Sequence, residues 1–76
     1  MPRPRFATLA PDRRAAILAA AAAEFAAHGI DGASYNRIIA RAAVSKGAMY
    51  YYFDDKQDLL RAVLDDASER AAAAIG

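Results

Sequence analysis

Three consecutive tyrosines lie near the middle of the chain, in the stretch VSKGAMYYYFDDK. A helix turns by about 100° per residue, so Tyr50, Tyr51 and Tyr52 cannot all face one core. If Met49 and Phe53, four residues apart, face inward, Tyr51 points outward and the other two rings lie on the flanks. At least one tyrosine is therefore expected to meet water or a partner.

The outward face of the predicted helix also carries Lys46, Gly47 and Ala48. Glycine in an exposed helix costs about 1 kcal/mol relative to alanine, but a small residue lets the backbone approach another surface closely. Lys46 adds a full charge to the positive end of the helix, and tyrosine hydroxyls can donate to phosphate oxygens. The pattern predicts a helix that lies in the major groove of double-stranded DNA.

The distribution of charge supports a surface that faces phosphates, although the net charge of the 76 residues is only +1. Residues 1–46 contain seven basic and three acidic side chains, a net charge of +4, whereas residues 47–76 contain three basic and six acidic ones, a net charge of −3. A basic front and an acidic tail are typical of a domain that binds DNA on one side.

Catalytic and metal-binding patterns are not found in the sequence. It has no cysteine and one histidine, His28, which we expect to complement the carbonyl end of its helix. The serines have no neighbouring base, and no glycine-rich phosphate loop is present. We therefore expect no enzyme and no cofactor. The run of alanines at 19–23 is too short to span a bilayer, and the absence of a targeting signal favours the cytoplasm.

Helical patterns follow one another after an N-terminal segment, which predicts an all-α fold of three helices forming a helix-turn-helix domain, plus the start of a fourth, connecting helix. The expected helices span about 11–28, 35–42 and 46–53, with helix 4 in 55–76. Pro11 favours the first start, Gly29 the first stop, and Ser34, Ser45 and Asp55 are the expected N-caps. Residues 1–10 are predicted to be a flexible basic arm, and residues 11–54 the DNA-binding domain.

Two interpretations of the N-terminal arm remain open. Pro2 and Pro4 exclude a regular helix, and Arg3 and Arg5 alternate with them. The arm is either a solvated terminus or a DNA contact made by the two arginines. For the domain as a whole, the alternative is a small helical module that binds a partner protein. Salt-sensitive binding to DNA would separate these functions.

The chain resembles the DNA-binding domain of the TetR family of bacterial transcriptional regulators from about residue 13 to residue 63. The residues that match the family's pattern in register are Ile17, Leu18, Phe25, Gly29, Ser34, Ile38, Ala42, Val44, Ser45, Tyr50, Phe53, Lys56 and Leu59. The resemblance implies a repressor that binds a palindromic operator as a homodimer in the bacterial cytoplasm, associated with the nucleoid. It also implies a small-molecule effector that binds a C-terminal domain not contained in this chain.

The resemblance further implies that Ser34 and Tyr35 meet a phosphate at the start of helix 2, and that Lys56 meets another. The complete set of expected DNA-binding residues is Ser34, Tyr35, Asn36, Arg37, Ser45, Lys46, Gly47, Ala48, Tyr50, Tyr51, Tyr52 and Lys56, with Arg3 and Arg5 as further candidates.

Three positions depart from the family's pattern. Ala43 replaces the usual turn glycine, so a left-handed turn would carry about 1 kcal/mol of strain. Ile39 replaces a small residue, which predicts slightly wider packing of helices 2 and 3, and Tyr35 replaces a threonine.

Overall fold

Four helices make up the described part of the chain. The computed structural model describes residues 9–75, which form α1 (Pro11–Gly32), α2 (Tyr35–Ala42), α3 (Lys46–Tyr52) and α4 (Lys56–Ile75). Helix α1 packs against α2 and α4, and α2 packs against α3. The predicted all-α class, with a helix-turn-helix arrangement and a following helix, is confirmed.

The first helix is interrupted where the sequence predicted its stop. We expected it to end at about His28, and at Gly29 the backbone leaves the helical conformation, with φ 72° and ψ 174°, before one further helical turn reaches Gly32. Only the φ angle matches the left-handed cap that we expected, because ψ is extended. One further turn follows, closed by the Ala33 N–H, which donates to the Gly29 carbonyl at 3.0 Å. This bond gives the short IDG segment a helical turn instead of an open loop.

Each of the four helices contributes at least one large side chain to the hydrophobic core. The fully buried large residues are Ile17, Ile38, Met49, Phe53 and Leu59. Each such burial contributes about 1.5–3 kcal/mol relative to exposure. Since Met49 and Phe53 both face this core, the opposite side of α3 must face outward.

A tight left-handed turn joins α2 to α3. Ala43 has φ 57° and ψ 41°, and its N–H donates to the Ala40 carbonyl at 3.3 Å. The Val44 N–H donates to the Ile39 carbonyl at 3.3 Å, which completes the Schellman pattern of helix ends. Alanine therefore occupies a conformation that glycine adopts without strain.

The third helix ends at Tyr52, one residue before the predicted end, because Phe53 is extended at φ −134° and ψ 138°. Asp55 then caps α4: its Oδ1 accepts from the Asp58 N–H at 2.9 Å. The Asp58 carboxylate reaches back to the N–H of Asp54 at 3.0 Å. The two aspartates together cap the start of α4. The arrangement differs from a capping box in that Asp58 accepts from the residue before the N-cap and not from the N-cap itself. No helix in the described part of the chain has the length and apolar character needed to cross a membrane.

Candidate nucleic-acid interface

The outward face of α3 is open. Gly47 is exposed, and Tyr50 and Tyr51 keep 47% and 52% of their surface exposed. Ser45 begins the helix, since its Oγ accepts from the Ala48 N–H at 3.1 Å. The side chain of Lys46 is exposed beside this cap. Because Met49 is buried and Tyr50 and Tyr51 are exposed, the orientation of α3 about its own axis is set.

Gly47 has no packing role inside the described molecule. A Cβ added at this position would meet no atom within 4 Å, and Gly47 does not have a positive φ. Neither space nor backbone conformation therefore requires a glycine here. Its cost in helix stability, about 1 kcal/mol, is not offset by any packing contact within residues 9–75.

One side of α3 is partly covered. Tyr52, predicted on a flank of the helix, is half-buried, and so is Ala48, which was predicted beside the outward face. They line a shallow depression of about 280 Å³ with Leu9 and Val44. The ring of Tyr52 also meets Tyr51 edge to face, at a centroid distance of 5.5 Å and an angle of 75°. The Tyr52 ring thus supports its more exposed neighbour.

Tyr35 joins α2 to α3. Its hydroxyl donates to the Met49 carbonyl at 3.2 Å, and its ring lies 5.0 Å from that of Tyr50. Burial raises the pKa of Tyr35 to about 12, and the nearby Tyr50, Asp55 and Asp58 add to the effect. The hydroxyl proton is therefore used within the protein, and this contact competes with the phosphate contact that the sequence suggested.

The start of α2 is held by a residue that sequence reasoning missed. Glu24 is only 4% exposed, and its Oε2 accepts from the Ser34 N–H at 2.9 Å and from the Arg37 Nε at 2.8 Å. The Ser34 hydrogen bond lowers the pKa of Glu24, as do the Arg37 hydrogen bond and charge and the His28 charge, whereas burial raises it. Its spacing of seven from Ile17 could have marked Glu24 as an acid on the buried face.

Two of the expected DNA-binding residues already have partners in the protein. Arg37 is exposed on α2, but its guanidinium pairs with Glu24 at 2.8 Å. Lys56 donates through Nζ to the carbonyls of Asp31 at 3.3 Å and Ala33 at 3.2 Å. These bonds tie the start of α4 to the connection between α1 and α2.

The remaining candidates fall into two groups. At the start of α2, Asn36 is exposed, and the half-buried Ser34 caps the helix by accepting from the Arg37 N–H at 3.2 Å. Arg3 and Arg5 lie outside the described residues. Among the residues that are described, no group of three or more histidine, aspartate or glutamate side chains is arranged to hold a metal ion.

Two helices joined by a tight turn, with the second exposed and the pair supported by α1 and α4, define a helix-turn-helix protein. Residues 17–63 match the family described as "Bacterial regulatory proteins, tetR family". The chain belongs to this family, so the resemblance inferred from the sequence is confirmed.

Two curated proteins of Streptomyces are similar to the chain in sequence. The chain is 46% identical over 52 residues to the HTH-type transcriptional repressor SCO4008 of Streptomyces coelicolor, covering 68% of this chain and 27% of that protein. It is 38% identical over 50 residues to the A-factor receptor protein of Streptomyces griseus, covering 66% and 18%.

A solved structure agrees over almost the whole chain. The crystal structure of a TetR family transcriptional regulator from Chloroflexus aurantiacus superposes with a TM-score of 0.82 at 34% identity, covering 96% of this chain and 34% of that chain. The chain thus spans about a third or less of the length of these three proteins.

Proposed function

We propose that this chain is the DNA-binding part of a transcriptional repressor. In the proposal α3 enters the major groove of a palindromic operator, and a homodimer presents two copies of the helix. A small-molecule effector would bind a part of the protein that this chain does not contain. The repressor would act in the bacterial cytoplasm, at the nucleoid. Membership of the family and the printed names of the relatives support the proposal.

The observation that carries the proposal is the unexplained glycine on α3. Gly47 weakens its helix, yet no neighbouring atom among the described residues requires this position to be without a Cβ. A close approach by an outside surface is the remaining physical use for a bare backbone at this point. A groove floor made of base edges is such a surface.

The side chains around Gly47 supply polar contacts for a duplex. Lys46 brings a positive charge, and Tyr50 and Tyr51 bring exposed phenols that can donate to phosphate oxygens. We also assign contacts to Ser45 at the start of α3 and to Asn36 at the start of α2, both of which are exposed.

Three of the expected DNA-binding residues are assigned a mainly structural role in this proposal. Tyr35, Arg37 and Lys56 each hold an internal hydrogen bond that a phosphate contact would have to share or replace. If such a bond is replaced, the protein group that loses its partner must be satisfied again, so the exchange leaves little net gain. We therefore assign these residues chiefly to holding α2, α3 and α4 in place.

A protein-interaction module is the second candidate, favoured by large apolar residues that remain exposed. Leu64 on α4 keeps 59% of its surface exposed, and Ile30 after the kink keeps 47%. Neither residue belongs to the α3 face. Salt dependence separates the two functions. With four or five phosphate contacts, log affinity for DNA falls against log salt with a slope of about −4. A flat response would favour the protein partner.

The proposal is tested with Gly47→Ala. We expect the variant to be more stable by up to about 1 kcal/mol, because alanine favours helix and the added Cβ meets nothing. We expect its affinity for DNA to fall by about tenfold or more, because a methyl group in a close contact costs about 1–3 kcal/mol. The duplex is one that the wild-type chain selects from a random-sequence pool, and affinity is measured by fluorescence anisotropy.

Gly32→Ala is the matched control, since Gly32 ends α1 and its added Cβ would meet only the His28 Cβ at 3.4 Å. This variant should bind the duplex as the wild type does. Equal affinity of wild type and Gly47→Ala would refute the assignment of α3 to the groove.

A further inference from the structure

A carboxylate is buried where α1 and the start of α2 meet. Glu24 is the one buried charged side chain among residues 9–74. Its Oε2 has four polar contacts: it accepts from the Ser34 N–H at 2.9 Å and from Nε and a terminal nitrogen of Arg37, each at 2.8 Å, and the His28 Nε2 lies 3.9 Å away. A buried charge requires such partners, because it has lost its hydration.

Each partner lies at a different point of the connection between the helices. Ser34 is the N-cap of α2, so its N–H marks where that helix begins. Arg37 lies on the first turn of α2, and its terminal nitrogen also donates to the carbonyl of Gly32, the last residue of α1, at 3.2 Å. The carboxylate and the guanidinium therefore hold the end of α1 and the beginning of α2 together.

We infer that Glu24 and Arg37 are positioning residues for DNA binding, and that Arg37 is not a phosphate ligand although it is exposed on α2. The inference rests on the proposed function. The pair fixes the angle and register at which α2 leaves α1, and α2 carries the turn into α3. Disruption of the pair moves the α3 face relative to the duplex without removing any phosphate contact.

The position of the guanidinium supports this distinction. To reach a phosphate, Arg37 would have to leave Oε2, and Glu24 would then remain buried with the Ser34 N–H as its remaining described hydrogen bond. A buried carboxylate that loses its guanidinium partner is strongly destabilised, so a phosphate contact made by Arg37 would have to offset this loss before it added any affinity. The balance favours the internal pair.

The salt dependence of binding distinguishes a positioning arginine from a phosphate ligand. A phosphate ligand contributes about one unit to the slope of log affinity against log salt, and a positioning residue contributes none. We propose to measure this slope by fluorescence anisotropy for the wild type, Glu24→Gln, Arg37→Gln and the double variant, with a duplex that the wild type selects from a random-sequence pool. All measurements are made where circular dichroism shows each chain to be folded.

The expected result for Arg37→Gln is an affinity about tenfold lower at an unchanged slope. The double variant should bind about as well as the weaker single variant, because both substitutions break the same pair. Arg70→Gln is the control: it removes an arginine from an exposed ion pair with Asp66 near the end of α4, and should change neither affinity nor slope.

Two outcomes would overturn the inference. A slope reduced by about one unit in Arg37→Gln would make Arg37 a phosphate ligand. Unchanged affinity would limit the pair to supporting the fold. If either single variant does not fold, the double variant decides, since it removes both charges and leaves no buried carboxylate without its cation. If the wild type binds no duplex, the proposed function is wrong. In that case the double-variant cycle for the free energy of unfolding would still test whether Glu24 and Arg37 interact.

Discussion

The turn between α2 and α3 offers a sharp test of the reasoning, through the substitution Ala43→Gly. Ala43 adopts φ 57° and ψ 41°, where a Cβ approaches the following carbonyl. A residue other than glycine pays about 1–2 kcal/mol for this conformation. Glycine removes that strain, but it also gives the unfolded chain more freedom, which costs about 0.4–1 kcal/mol.

The two effects leave a net gain for the glycine variant. We expect its free energy of unfolding to rise by about 0.5–1 kcal/mol and its Tm by about 2–8 °C, given a chain of this size. The two hydrogen bonds of the turn, from the N–H groups of Ala43 and Val44, remain in place. Binding to DNA should not change, because the substituted residue lies in the turn and not on the α3 face.

Thermal and urea unfolding followed by far-ultraviolet circular dichroism measure the effect. Ala40→Gly is the matched control, since Ala40 is an exposed residue inside α2 and glycine there should destabilise the protein by about 1 kcal/mol. The left-handed turn explains why two alanine-to-glycine substitutions three residues apart should change the free energy of unfolding in opposite directions. If Ala43→Gly is less stable than the wild type, the strain argument is wrong.

Two further predictions concern pH. The pKa of Glu24 is lowered below its usual 4.5 by the hydrogen bond from Ser34 first and by Arg37. Its contribution to stability is therefore present above pH 4.5 and is lost as the pH falls below that value through the lowered pKa, so unfolding titrations of Glu24→Gln should lose less stability below pH 4.5 than those of the wild type. An equal loss in both chains would contradict this origin. Tyr35→Phe removes the bond to the Met49 carbonyl and should lower the free energy of unfolding by about 1 kcal/mol at neutral pH. Burial raises the pKa of Tyr35 from 10 to about 12, so the contribution of Tyr35 to stability is full below pH 10 and falls as the pH rises toward 12. The phenylalanine variant should therefore lose less stability at alkaline pH than the wild type. Identical alkaline unfolding titrations of the two chains would contradict this prediction.

Local patterns predicted the helices well, and missed features that depend on distant contacts. The caps at Ser34, Ser45 and Asp55 follow from residue type and spacing, because each bond spans three residues. The extra turn of α1 after Gly29 was missed, since glycine is a common stop signal and nothing nearby predicts that one more turn will close.

The candidate site shows the same division. The outward direction of Gly47 and Tyr51 could be predicted from the inward direction of Met49, because residues on a helix have fixed angular positions. The partners of Tyr35, Arg37 and Lys56 could not be predicted. Each lies 13 to 25 positions away along the chain, and only packing brings them within hydrogen-bond distance.

The sequence alone determined the class of fold, the family and the helix whose exposed face we assign to DNA. Helix periodicity, capping and charge are local properties, and the family's pattern is itself written in residues at fixed spacing. Only the tertiary structure decided which polar side chains are already engaged within the protein. Glu24, Arg37 and Lys56 are ordinary charged residues in sequence. The packing of α1 against α2 and α4 buries Glu24 and supplies all three with partners at 2.8–3.3 Å.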